Sequence, residues 1–529
     1  MEEHANPPLL SVEVWSACWA LCSRRQLRRI SLVCQLFRSI VLPLLFCEQS
    51  FDVVALEMAT TGGNWKETVH HLHRTAVRLD KLAQNPHVSW VRSWKAVFSF
   101  NGPAAMIQFI PGLKNTHLFE LTHDRVVSRF STTIQLYENL SSLHLAQLTV
   151  DASFRAGLAL LQRLEDLRLS GCKITGRNGL LRLQRLTIRG YHLPSADPLE
   201  ITSPDNLHTM TLDGLTEISP LLSGFGSKTL PNLVHLSMEA VPDVEQWFRF
   251  LRQCPLLETL AIQSIDHRAG LPVDPTTTVP RLRVLTAPAS LIQSLTPHRP
   301  ISDVTVLGGP TSLDALLLVC MDVARSVVPL RTLTLPFITP TRDFLATILP
   351  LFPDLRELLM EVSGCSILPC GNAFLWHPPP FVEPKDDSRL VELCDDDAFD
   401  DPLLDEISDD EDDSEAEEVP PTIVKKGANP RLHSETFMDF PVDGTADILN
   451  WVFDDLLPLP SNLEVLRFRQ NRELKISLGE QHQAIASLGG MYPRLREVQF
   501  TSASDNWKRI GPGEMWVSAV GGSRFCVHR

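Results

Sequence analysis

The chain has 529 residues, of which 44% are apolar and 21% charged, and these fractions exclude a chain that is disordered throughout. The 48 basic and 63 acidic residues leave a net charge of −15, which argues against a basic nucleic-acid-binding surface along the whole chain. Eleven cysteines without a CxxC framework, an acidic start and no long apolar run predict an intracellular protein, cytoplasmic or nuclear, with free thiols and no membrane span.

The first predicted elements are three short helices between Leu10 and Ile40. Ser23 and Gln26 form a capping box, which marks the start of the second helix. So short a segment cannot build an independent stable core, and its apolar residues exceed what three short helices can hide. The sequence therefore predicts that another surface covers part of this segment.

The same segment resembles an F-box, without gaps from Leu10 to Ile40. Ser11 stands where that family has proline, and the residues at 41–46 are similar to the tail of fungal F-box proteins. The residues that fall on the family's usual positions are Leu10, Glu13, Val14, Leu27, Ile30, Ser31, Val33, Phe37, Arg38 and Ser39.

F-box proteins bind the Skp-type adaptor of Skp–cullin–F-box ubiquitin ligases. The resemblance therefore implies that this chain has the Skp-type adaptor and its cullin complex as partners. An alternative stays open, in which the helices cap the first repeat of the same chain. The residues that the resemblance implies for adaptor binding are Leu10, Val14, Leu27, Ile30, Val33 and Phe37.

A Leu-x-x-Leu-x-Leu pattern then recurs, with starts 19 to 29 residues apart between Leu140 and Leu355. This period is that of leucine-rich repeats, and the alternating end of each copy predicts a short strand with one buried face. Asp243 is predicted to cap a helix that returns the chain to the next strand. Weaker copies start at Val91, Leu113 and Leu282, and later copies at Leu463 and Leu495.

These patterns predict an α/β fold in four parts. An F-box-like helical module covers 1–48, and an irregular leucine-rich-repeat solenoid covers 49–370. An acidic disordered insertion covers 371–444, because 19 acidic residues face only two basic ones between Glu383 and Glu418. The final repeats and a C-terminal cap cover 445–529. The order of an F-box-like start and leucine-rich repeats resembles the layout of fungal F-box proteins with leucine-rich repeats.

The resulting hypothesis is a non-catalytic substrate-recognition adaptor whose repeats bind an unidentified target protein. No catalytic or metal-binding motif is apparent, and no cofactor, nucleic acid or membrane is expected as a partner. Two alternatives stay open: a repeat scaffold without a ligase role, and a binder of chromatin or basic partners through the acidic segment. The residues predicted to contact the target from the concave side of the strands are Asp166, Arg168, Arg185, Arg189, His235, Arg467 and Arg469.

Overall fold

A computed structural model describes most of the chain outside the acidic segment. The described residues belong to one compact unit, formed by 1–364 and 443–529. The predicted insertion at 371–444 lies outside the described residues except for Gly444. The weaker repeat copy predicted at Leu113 is wrong in its described part, because the strand expected at its end is instead the start of the helix Thr116–Thr133. The structure describes residues 10–52, 65–98, 116–175, 180–190, 199–214, 218–241, 243–265, 278–308, 312–338, 341–362, 444–470, 478–500, 506–509 and 516–518.

Over the described ranges, the fold is a mixed α/β arrangement built on one sheet of 16 strands. Its strands follow one another in chain order and pair in parallel until the last two, which pair antiparallel. Two further strands, β4 and β6, form a small parallel sheet of their own. The strands are β1 Glu48–Asp52, β2 Ser93–Val97, β3 Ser142–Ala146, β4 Thr149–Val150, β5 Asp166–Ser170, β6 Lys173–Ile174, β7 Arg185–Arg189, β8 Thr209–Asp213, β9 His235–Val241, β10 Thr259–Ile265, β11 Val284–Pro288, β12 Asp303–Leu307, β13 Thr332–Ile338, β14 Glu357–Val362, β15 Val465–Gln470, β16 Glu497–Phe500, β17 Asn506–Arg509 and β18 Trp516–Ser518.

Helices precede the sheet and fill many of the connections between its strands. Short 3-10 turns occupy other connections, as at Pro86–Trp90. Within the described ranges, no helix is both long and apolar enough to cross a bilayer. The α-helices are α1 Val12–Trp19, α2 Arg24–Ser31, α3 Gln35–Phe46, α4 Trp65–Ala83, α5 Thr116–Thr133, α6 Ala152–Ala159, α7 Ser219–Phe225, α8 Val244–Leu251, α9 Ala289–Leu295, α10 Leu313–Val323, α11 Arg342–Ile348, α12 Gly444–Phe453 and α13 Leu478–Met491.

The repeated leucine pattern predicts most of the parallel strands correctly, including those at the weaker copies that start at Val91 and Leu282. The reason is the register: each apolar strand position pairs with the equivalent position of the next strand, as Leu186 pairs with Met210. These side chains are buried in one continuous core. The long interruption does not break the sequence of strands, because β14 pairs directly with β15 in the same register.

The helical connection at α8 is also confirmed. The Asp243 carboxylate accepts the backbone N–H of Gln246 at 3.0 Å, so it caps the helix. The Gln246 side chain contacts the preceding connection, α7: its amide donates to Ser223 Oγ at 2.7 Å and to the Ser219 carbonyl at 3.2 Å. Neighbouring connections are thereby linked by hydrogen bonds as well as by apolar packing.

The pattern does not predict the two ends of the sheet. The strand β1 carries no leucine repeat, yet it pairs in parallel with β2 from Glu48 opposite Ser93. At the other end, β17 and β18 fold back as antiparallel strands beyond β16. Edge strands contact a neighbour that differs from a regular repeat, so their sequences need not keep the repeat pattern.

Two helical glycines provide a test of how closely the connections pack. A side chain at Gly224 would meet the backbone of Leu199, whose carbonyl carbon would lie 2.6 Å from the new Cβ, whereas a Cβ at Gly490 meets nothing within 4 Å. We expect Gly224→Ala to lower the free energy of unfolding by about 1–3 kcal/mol through overpacking. We expect Gly490→Ala to raise it by about 0.4–1 kcal/mol, because alanine loses less backbone entropy on folding.

Chemical denaturation of the full chain, followed by circular dichroism, measures both changes. Because the substitution is the same at both positions, intrinsic helix propensity alone would stabilise both variants. Stabilisation of the Gly224→Ala variant would therefore contradict the close packing of α7 against the backbone at Leu199.

Candidate interaction surfaces

The three amino-terminal helices enclose an apolar cluster of their own, separate from the core of the sheet. Trp19 and Leu27 lie at its centre, and Phe37 packs edge-on against Trp19 with ring centroids 4.8 Å apart. The Ser23–Gln26 capping box predicted for α2 is present, with both reciprocal hydrogen bonds. Ser11 occupies the N-cap position of α1, but its side chain makes no capping hydrogen bond.

Helix α1 carries two apolar stripes, and only one of them faces this cluster. Trp15 and Trp19 point inward, with ring centroids 5.2 Å apart. Val14 and Cys18 lie on the other side and are exposed, and Leu21 just beyond the helix is 90% exposed. Helical spacing alone cannot decide between two apolar stripes, and the larger tryptophans bury more area by facing the cluster.

The module therefore leaves several large apolar side chains uncovered by its own chain. Three of the residues predicted to bind an adaptor are among them, namely Leu10, Val14 and Val33. Ile30 and Phe37 are half-buried at the border of the apolar cluster. We refer to the exposed apolar residues of the module as the amino-terminal apolar surface, and they are Leu10, Val12, Val14, Leu21, Leu32, Val33 and Leu36.

The expectation that Leu27 faces a partner is corrected by its position. Only 4% of its surface is exposed, because it packs against Trp19, Ile40 and Val41 inside the module. The sequence pattern could not distinguish it from Leu32 or Val33, since all are apolar residues in or next to the same short helix. Leu27 is therefore a core residue of the module, whereas Leu32, just after the same helix, is exposed.

The end of α3 joins this module to the sheet. Arg24 donates through Nη2 to the carbonyls of Leu45, at 2.8 Å, and Glu48, at 3.0 Å. Phe46 packs against the core of the sheet, with its ring centroid 5.6 Å from His87. The amino-terminal apolar surface is contributed instead by α1 and by the residues around the turn between α2 and α3.

A second candidate surface is the open face of the sheet, which consists of the strand side chains that alternate with the buried leucines. On β5, the buried Leu167 and Leu169 flank Arg168, whose side chain is 41% exposed. The predicted target-binding residues Arg185, Arg189 and His235 are exposed on this face. The open face therefore presents polar and charged groups that contribute nothing to the apolar core.

Asp166 does not meet the expectation of a target contact. Its side chain is only 5% exposed, and its Oδ2 lies 3.4 Å from Arg168 Nη2 and 3.5 Å from Arg185 Nε. The hydroxyl of Ser142 donates to the same oxygen at 3.4 Å. Asp166 therefore positions the two arginines, and the arginines form the surface.

The predicted residues Arg467 and Arg469 lie far along the open face, and each one pairs with a glutamate. Arg467 donates from Nε and Nη2 to Glu497 Oε1 at 3.1 and 3.0 Å, and Arg469 lies 3.1 Å from Glu361 Oε1. Both glutamates are largely buried at their side chains. In the part of the chain that the structure covers, no group of three or more His, Cys, Asp or Glu residues could hold a metal ion.

The different positions of Leu27 and Val33 lead to a testable difference. We expect Leu27→Ala to destabilise the module by about 2–5 kcal/mol, because it leaves a cavity against Trp19. The exposed Val33→Ala variant leaves no cavity and should change stability by less than about 0.5 kcal/mol. Hydrogen exchange of residues 12–46 measures both effects, and equal acceleration in the two variants would contradict the burial of Leu27.

Comparison with known proteins adds no assignment to these surfaces: no protein-family model matches the chain, and no curated protein matches its sequence.

Proposed function

We propose that the chain is a non-catalytic substrate-recognition adaptor of a Skp–cullin–F-box ubiquitin ligase. In this proposal the amino-terminal helices dock the Skp-type adaptor, and a leucine-rich-repeat solenoid holds a target protein. The observation that carries the proposal is the amino-terminal apolar surface, which lies on a module whose own core is already filled. Other subunits would transfer ubiquitin, and this chain would raise the local concentration of the target.

The solenoid half of the proposal is supported by the order of the strands. From β1 to β16, neighbouring strands of the large sheet follow one another along the chain and pair in parallel, and the apolar positions align from strand to strand. A unit of one strand and one return connection cannot bury its apolar face alone, so stacked neighbours supply the core. This is the architecture expected of leucine-rich repeats.

The docking half is supported by where the module meets the sheet. A module that only capped the first repeat would turn its apolar residues toward that repeat. Instead Phe46 at the end of α3 packs against the core of the sheet and Arg24 donates to the Glu48 carbonyl, while Val33 just before α3 and Leu36 in its first turn are exposed. Burying several such side chains against a partner yields several kcal/mol of binding free energy, at about 1.5–3 kcal/mol each.

The test is binding of the purified full chain to a Skp-type adaptor, measured by calorimetry. We expect a Val33→Asp, Leu36→Asp double variant to bind at least about 100-fold more weakly, because it places two charges in the apolar contact. The fold should tolerate both changes, since both side chains are exposed and Leu36 lies in the first turn of α3, where an acidic residue is favourable.

Leu160→Asp with Leu318→Asp provides a matched control. These leucines are equally exposed, but they lie on the helical connections of the sheet, so the variant should bind the adaptor like the unaltered chain. Failure of the unaltered chain to bind would overturn the ligase proposal and favour a scaffold without a ligase role. Equal loss in both double variants would show that the amino-terminal apolar surface is not the docking site.

A further inference from the structure

The register of the sheet brings basic residues from distant parts of the chain together on one area of the open face. Lys95 pairs with His144, His144 with Arg168, and Arg168 with Thr187. Arg185 and Arg189 lie two residues on either side of Thr187 on β7. We refer to Lys95, Arg168, Arg185 and Arg189 as the basic patch.

Three arginines of this patch surround the position of Thr187, and their ion pairs turn them in different directions, Arg185 toward Asp166 on β5 and Arg189 toward Asp213 on β8. Neighbouring strands lie about 4.8 Å apart, and positions two residues apart in a strand lie about 7 Å apart. The backbones of Arg168, Arg185 and Arg189 therefore all lie within about 7 Å of Thr187, with their side chains on the same face. Guanidinium groups spread in this way can contact successive anionic groups along an extended polypeptide.

The patch has an excess of positive charge. The open-face positions of β2, β3, β5 and β7 hold four basic residues but one acidic residue, Asp166, whose carboxylate is within 3.5 Å of both Arg168 and Arg185. The positive potential also affects His144: burial, and then the nearby charges of Lys95 and Arg168, hold its pKa below the ordinary value. Acidic residues bound the patch on both sides: the exposed Glu48 of β1 lies opposite Ser93 of β2, and Asp213 on β8 lies 3.5 Å from Arg189.

The excess does not extend along the whole sheet. From β14 to β17 the open face carries equal numbers of basic and acidic residues, and Arg467 and Arg469 each pair closely with a glutamate. Between the two regions, most positions in the central row carry small hydroxyl side chains. That row consists of Thr187, Thr211, Ser237, Ala261, Thr286, Thr305 and Thr334.

The chemistry of the patch favours a polypeptide over a nucleic acid. Proteins that bind single strands stack bases on aromatic side chains, and the described open-face positions of β2, β3, β5, β7 and β8 carry no aromatic ring apart from the half-buried His144. The hydroxyl row next to the patch can donate to and accept from an extended peptide. The patch is also small, whereas nucleic-acid surfaces have long basic stripes.

We propose that the basic patch binds an anionic stretch of a target polypeptide, carrying phosphoserine or phosphothreonine or a run of aspartate and glutamate. The proposal names the target chemistry for the proposed function and rests on it. Arg168, Arg185 and Arg189 supply the guanidinium contacts, and Lys95 adds a further charge on β2. Asp166 keeps two of the arginines in place from below.

The experiment titrates the full chain with labelled glycine–serine peptides that carry several phosphoserines, glutamates at the same positions, or unmodified serines. We expect the phosphorylated or the glutamate peptide to bind more tightly than the serine peptide, and the tighter of the two identifies the source of the anion. An Arg185→Gln, Arg189→Gln variant should bind that peptide at least about 10-fold more weakly, because two charged contacts are lost.

The matched control is Arg249→Gln with Arg325→Gln. These arginines lie on α8 and just beyond α10, their side chains are 64% and 63% exposed, and each is paired with one carboxylate. Arg185 and Arg189 are 59% and 64% exposed, so the two variants remove equal charge from equally open positions. Affinity should change less than about 2-fold in the control, because distant surface charges are screened.

Three results would overturn the proposal: no preference for either anionic peptide over the serine peptide, equal weakening in the two variants, or tighter binding of a single-stranded oligothymidine than of either anionic peptide. Adaptor binding, measured on the same Arg185→Gln, Arg189→Gln variant, depends on the separate helical module. Its loss or retention therefore reports on the proposed function alone, and the anionic-peptide titration reports on the patch.

Discussion

The fold depends on the in-register pairing of one parallel strand with the next. The pairing puts Leu186 beside Met210 and Ile188 beside Leu212, and equivalent pairs follow across the sheet. A slip of one residue would turn every apolar side chain of a strand to the open face. The register also explains why the series of repeats can be interrupted between β14 and β15. Glu361 and Arg469 pair across this interruption although 108 residues separate them in the sequence. The free energy of closing a connection rises only with the logarithm of its length.

Because the buried face supplies the core, the open face can vary in composition without loss of packing. It carries four basic residues on β2, β5 and β7, mostly threonine and serine in the central row of the strands that follow, and paired ions near β15. A residue-by-residue inventory gives no dominant sign of charge over the whole face. The alternation within β7 already places Arg185 and Arg189 on either side of Thr187, and the register adds Arg168 of β5 beside the same threonine.

The repeated leucines were sufficient to predict most of the parallel strands, because alternation with a period of two and a regular spacing leave few other solutions. They could not predict β1, β17 or β18, whose contacts differ from those of a regular repeat. In the helical module, the apolar pattern also could not separate the buried Leu27 from the exposed Val33, because burial depends on which side of a short helix meets its neighbours. That choice is made by the tryptophans of α1, which occupy the inside and leave Val14 outside.

The module and the sheet cover their apolar residues from solvent in different ways. Each strand in the sheet is covered by the next, so the number of strands can grow without adding uncovered apolar surface except at the ends. The three amino-terminal helices cannot use this solution, since their cluster of Trp19, Leu27, Ile40 and Val41 is closed and separate. Leu32 and Val33 then have no further layer of their own module to cover them. Exposure of such residues costs solubility and gains nothing for folding, and this cost is the physical argument for the proposed docking of a partner there.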